Sequence, residues 1–94
     1  MSVYLVTWNL NNEKPNYADA RKVFLSKLEE YDNIKDSGLD SVRFISTNQS
    51  AQQISDNLRQ AMDDNDRIFV TKLNVGGHQG WLDISVWKWI ETRI

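Results

Sequence analysis

Val3-Tyr4-Leu5-Val6-Thr7-Trp8-Asn9-Leu10-Asn11-Asn12 is an apolar run that ends in a cluster of short polar side chains. Side chains alternate across an extended chain, so Tyr4, Val6, Trp8 and Leu10 share one face and Val3, Leu5 and Thr7 the other. Both faces are rich in apolar residues. A strand at a sheet edge or over open solvent has no use for that, so the run predicts a central strand covered on both sides.

Working outward, Asn11 to Asn16 holds the only proline, Pro15, and reads as a turn. Asn16 is placed to cap a following helix, with Asp19 in its first turn to complement the helix dipole. Tyr17, Ala20, Phe24, Leu28 and Tyr31 recur at steps of three and four, and Leu25 widens the stripe. Asp36-Ser37-Gly38 is a turn signal, and Asn33 to Lys35 before it offers a short extended piece. Ser41 to Thr47 predicts a second long strand, with Val42 and Phe44 on one face. Ser50 and Gln53 form a capping box at the head of a second helix, whose buried stripe is Ile54, Leu58, Ala61 and Met62. Asp63-Asp64-Asn65-Asp66 stops it, and Arg67 to Leu73 is a further strand. After the loop Gly76-Gly77-His78-Gln79-Gly80, the tail puts Ile84, Trp87, Ile90 and Ile94 near helical spacing; a strand through Leu82, Ile84 and Val86 is the alternative. The order β-α-β-α-β plus a terminal element predicts an α+β, ferredoxin-like antiparallel sheet with two helices on one face, as one domain over residues 1–94. A Trp-rich, helical C-terminal element completes it.

Composition narrows the function classes. The chain is 40% apolar and 26% charged, as in ordinary globular proteins. No apolar run approaches the roughly 20 residues that span a bilayer, and no basic-then-apolar leader is visible, so a cytoplasmic location without membrane contact is expected. The absence of cysteine excludes disulfides and thiolate metal sites. Thirteen acidic against eleven basic residues give a net charge of −2, which argues against a broad, sequence-independent basic field for nucleic acid. Of four tryptophans, Trp81, Trp87 and Trp89 crowd the tail, and large aromatics at one end suggest a dense core segment or an oligomer interface. Trp87 and Trp89 are two apart and cannot share a helix face, so one is expected in the core and the other at an interface.

Few residues carry chemistry. Asn9, Asn11 and Asn12 offer amide donors and acceptors for a phosphate, ribose or base edge, although asparagine also favours turns for its own backbone reasons. His78 is the only histidine, which excludes multi-histidine metal sites within one chain, and no neighbour in sequence equips it as a general base. Its glycine loop matches neither phosphate-binding fingerprint. Arg43, Arg67 and Lys72 sit on strands, where they either form a basic stripe or guard the sheet's solvent face. Asp63, Asp64 and Asp66 lack the glycine and later glutamate of a calcium loop.

Val6-Thr7-Trp8-Asn9-Leu10 before a turn and helix, followed by Asp40-Ser41-Val42-Arg43-Phe44 before a second helix, resembles the small CRISPR-associated adaptation subunit and its relative, the virulence-associated protein D family of toxin-like ribonucleases. The resemblance covers roughly the first three quarters of the chain. It implies a ferredoxin-like fold, a homodimer formed through the sheets, and an Asp at the end of the first strand that holds a divalent metal across the dimer axis. Here that position is Asn9. An amide brings a neutral oxygen where a hard cation needs charge, so the nuclease chemistry of the relatives is not expected to carry over. The leading expectation is a non-catalytic, homodimeric interaction or nucleic-acid-binding module without a cofactor. It contacts its partner through Arg43, Lys72, His78 and the asparagine turn, with Trp81, Trp87 and Trp89 at the interface. The alternatives are a ribonuclease or phosphodiesterase of the toxin–antitoxin kind, using His78 or a divalent metal, and a small nucleotide-binding protein.

Overall fold

The computed structural model describes residues 1–94. β1 (Ser2–Asn9) is followed by α1 (Tyr17–Leu28), β2 (Asp32–Ile34), β3 (Val42–Thr47), α2 (Ala51–Arg59), β4 (Arg67–Lys72) and α3 (Ile84–Arg93). The strands form one sheet in the order β2-β3-β1-β4, and every neighbouring pair is antiparallel. This is the ferredoxin-like α+β arrangement, with a third helix added at the C-terminal end. The short piece at Asn33 is the strand β2, on one edge; β4 is the other.

β1 and β3 are the inner strands, and each buries apolar side chains on both faces, β1 through Val6 and Val3 and β3 through Ile45 and Phe44. Tyr4, Val6, Trp8 and Leu10 join Ile45 beneath Phe24 and Leu28 of α1 and Ile54 and Leu58 of α2, forming the larger core. The Trp8 and Phe24 rings meet at 5.1 Å and 51°, within the range aromatic pairs favour. Burying Phe24 alone stabilises the fold by about 2–3 kcal/mol. The Ser50–Gln53 capping box forms with both hydrogen bonds in place, which fixes where α2 starts. Asn16 precedes α1 but makes no side-chain cap, contrary to expectation, and Ala20 N–H instead donates to its carbonyl.

The other face of the sheet carries α3. Val3 and Phe44 pack against Val86 and Ile90 in a smaller core, flanked by Leu5, Ile34, Val42, Leu73 and Leu82. The tail is helical as expected, but its buried phase is not the Ile84–Trp87–Ile90–Ile94 stripe. Ile84 is 73% exposed and Ile94 lies at the rim, while Val86 and Ile90 point inward. Trp87 and Trp89 are both half-buried and straddle that line, so neither takes the purely core role. The phase is set at the helix ends. Buried Asp36 accepts the amide of Asp83 at 2.7 Å, and Asp83 in turn accepts the amide of Ser37 at 3.0 Å. At the other end, Arg93 pairs with Asp32 at 2.7 Å and stacks 4.4 Å over the Trp89 ring. No helix is long and apolar enough to cross a membrane.

Candidate functional site

The asparagine turn opens a polar cleft of about 640 Å³ at the C-terminal end of β1. Buried Trp8 and Leu10 lie beneath it, and Asn9, Asn11 and Asn12 line it with Tyr17 and Arg21 of α1. Asp40 and Ser41 close the far side. They arrive there because β3 begins beside the end of β1: Thr7 pairs with Val42, and Trp8 N–H and Thr7 Oγ1 both donate to the Ser41 carbonyl, at 3.2 and 2.9 Å.

A buried carboxylate holds the turn rigid. Asp66 accepts the backbone amides of Asn11 at 2.8 Å and of Asp63 at 3.0 Å, and Lys14 Nζ lies 2.9 Å from its second oxygen. Burial pushes the Asp66 carboxyl up, but the two amides and Lys14 outweigh it and hold it below the usual carboxylate range. The hydrogen bond to Asp66 likewise raises Lys14 above its ordinary value, against the cost of desolvation. Asp66 is therefore not the solvated helix stop that its acidic run suggests, and its oxygens are already spent on protein donors. The clamp ties the β1–α1 turn to the α2–β4 turn, so the cleft wall cannot drift.

Within the cleft the three asparagines differ. Asn11 is committed: its side-chain oxygen accepts the Glu13 amide at 2.9 Å, closing a local turn. Asn9 and Asn12 are exposed, and so is Arg21, which takes part in none of the five ion pairs. The site thus presents two free amides, one free guanidinium and the Tyr17 ring around a half-enclosed space. Asp40 supplies the one carboxylate, already 3.4 Å from Lys35.

The other expected contacts lie elsewhere. Arg43 faces the α1–α2 side, bound to Glu29 at 2.7 Å and Asn33 at 2.9 Å, with Nε buried and unpartnered. The hydrogen bond from Arg43 holds Glu29 below its ordinary value. Lys72 is exposed opposite Tyr4, five residues back along β1 from Asn9, or about 16 Å at a strand's rise. Arg67 pairs with Asn9 on the opposite face from Arg43 and Lys72, so no basic stripe forms. His78 is outside the cleft: Nδ1 bonds the Asn74 carbonyl at 2.9 Å and the ring stacks 6.1 Å from Trp87. No group of three His, Asp or Glu side chains gathers. Arg21 escaped the sequence reading because nothing in a helical stripe marks one exposed arginine among several. Asp40 and Ser41 become visible only once β3 is paired antiparallel with β1. In comparison with known proteins, no family model, no curated protein and no solved structure matches this chain.

Proposed function

We propose that this ferredoxin-like domain is a non-catalytic, homodimeric binding module that seats one nucleotide unit of a single-stranded nucleic acid in the cleft at the end of β1. The observation that carries the reading is the convergence of free Asn9, Asn12 and Arg21 on a clamped cleft of about 640 Å³. That volume is of the size that holds a small ligand. Amides match the paired donors and acceptors of a base edge, guanidinium matches phosphate, and an aromatic ring such as Tyr17 stacks with any base. A kinship with the CRISPR adaptation subunit and virulence-associated protein D families belongs to the same proposal, as does action in the cytoplasm. Asn9 at the place of their aspartate favours binding over cleavage. His78 supports that side too, since it faces a different part of the surface and hydrogen-bonds only a backbone carbonyl.

Fluorescence anisotropy with a short labelled single-stranded oligonucleotide at low salt tests it. Arg21→Ala is expected to weaken binding about tenfold or more, the effect of one charge-assisted hydrogen bond. The salt slope is expected to be shallow, about −0.7 for each phosphate contacted. Unchanged affinity in both Arg21→Ala and Asn9→Ala overturns the site. Cleavage of the oligonucleotide by the wild type, lost in His78→Ala, overturns the non-catalytic reading.

A further inference from the structure

Of the aromatic side chains on the strands, Tyr4, Trp8 and Phe44 are buried, whereas Phe69 is 63% exposed. β4 is an edge strand, where charged side chains usually stand guard, so an open phenyl ring there calls for a reason. Phe69 pairs with Thr7 and Arg67 with Asn9, and cross-strand partners share a face. The α3 helix packs on the same face, but over Val3 and Phe44, further back along β1 and β3. Thr7, Asn9, Arg67 and Phe69, with Trp8 and Ile68, bound a shallow hollow of about 240 Å³ over the β1–β4 seam. Asn9 and Trp8 also line the cleft at the end of β1, so hollow and cleft adjoin. Arg67 takes part in no ion pair, and its only side-chain hydrogen bond is a long one of 3.5 Å to the Asp66 carbonyl.

We infer that this hollow seats the neighbouring nucleotide of the strand held in the cleft: its base stacks on Phe69, and the linking phosphate lies on Arg67. The inference rests on the nucleic-acid reading above and extends it from one nucleotide to two. An open aromatic ring beside a free guanidinium is the pairing that holds single strands, the ring taking the base and the cation the backbone. Arg67 and Phe69 are two residues apart on β4, about 6.8 Å at a strand's rise, which suits one sugar–phosphate unit. Stacking on a side chain needs an unpaired base, which selects a single strand over a duplex. The hollow reads little sequence, because the Thr7 hydroxyl already donates to the Ser41 carbonyl and only the Asn9 amide is left for a base edge. The track also stops at Arg67. Beyond it, the next hollow sets Asp63 and Asp64 against Arg59, so positive charge no longer prevails for a further phosphate. A footprint of two nucleotides agrees with a chain of net charge −2, which supports no long basic track.

Competition of unlabelled oligodeoxyadenylates of one, two and six residues against a labelled hexamer, read by fluorescence anisotropy at low salt, tests this. The dimer is expected to bind about tenfold more tightly than the mononucleotide, with little gain from two residues to six. Phe69→Ala should lose about tenfold for the dimer and hexamer and leave the mononucleotide unchanged, while Phe69→Tyr keeps the wild-type pattern. Arg67→Ala should make the hexamer's salt slope shallower by about 0.7, the share of one phosphate. Because Phe69 is mostly in water, its alanine variant should melt as the wild type does. Hexamer affinity unmoved by Phe69→Ala but lowered by Arg21→Ala overturns the second seat and leaves the cleft standing. No binding of any oligonucleotide by the wild type overturns both. Loss of self-association in Phe69→Ala, with hexamer affinity unchanged, gives the ring to a protein contact and overturns the inference as well.

Discussion

The two faces of this sheet are held in different ways. Beneath α1 and α2, nine buried side chains form a continuous cluster, and the helices contribute Phe24, Leu28, Ile54 and Leu58 at regular helical spacing. Beneath α3 only Val3, Phe44, Val86 and Ile90 are fully enclosed. Partly buried Leu5, Ile34, Val42, Leu73, Leu82, Trp87 and Trp89 make up the rest, and the helix is fastened at its ends by Asp36 with Asp83 and by Asp32 with Arg93. The first face is folded by burial. The second is clipped in place by polar contacts at its ends, with a smaller enclosed core and with Phe69 and Trp81 left exposed.

Core truncations test this division with the largest effects. Phe24→Ala removes the ring that meets Trp8 and should cost about 3–5 kcal/mol, a large share of the roughly 5–10 kcal/mol a domain of this size holds. Urea denaturation should show the whole fold destabilised in one transition. Ile90→Ala should cost about 2–4 kcal/mol, and its signature differs: α3 amides lose hydrogen-exchange protection while β1 amides keep theirs. If α3 and β1 lose protection together in that variant, the sheet's two faces are one cooperative unit and the contrast drawn above is wrong.

Acid provides the gentlest probe. Asp66, Glu29 and Asp83 are each held below the ordinary carboxylate range in the fold, Asp66 by the Asp63, Asn11 and Lys14 donors that outweigh burial, Glu29 by Arg43, and Asp83 by the Ser37 amide. The unfolded chain therefore takes up protons first, at about pH 4, and the folded state loses this stabilisation as pH falls through the lower folded values. Lys14 works in the opposite sense: its contribution is complete below its ordinary value and fades only as pH rises through the raised one. Thermal melts from neutral pH downward should show stability declining below about pH 4, and Asp66→Asn should flatten that decline. An equally steep decline in the variant would remove Asp66 from the account.

Much of the fold was legible because its signals are local. The two-sided apolar pattern of Val3 to Leu10 identified a central strand, the Ser50–Gln53 pair located the start of α2, and Asn33 marked the short edge strand. The phase of α3 was not legible. Ile84, Val86, Trp87, Trp89 and Ile90 put apolar groups on most of its circumference, so spacing alone allows several buried stripes. Tethers from loops and strands distant in sequence select one of them. Arg43 misled for a similar reason. A charge on a strand reads as solvent-facing until Glu29, fourteen residues away on the chain, is found beside it.

The candidate site divides along the same line. The asparagine turn announced itself in sequence, and the structure keeps it at the mouth of a cleft. Which asparagines remain free, which arginine joins them and which histidine does not are outcomes of pairing β1 with β3 and of the Asp66 clamp. The sequence by itself determined the elements and, for β1, α1 and α2, their inward faces, since period and capping are written within a few residues. Only the tertiary structure decided the phase of α3, the partners of Arg43 and Asp66 and the membership of the cleft, because each depends on groups brought together across the chain by the antiparallel sheet.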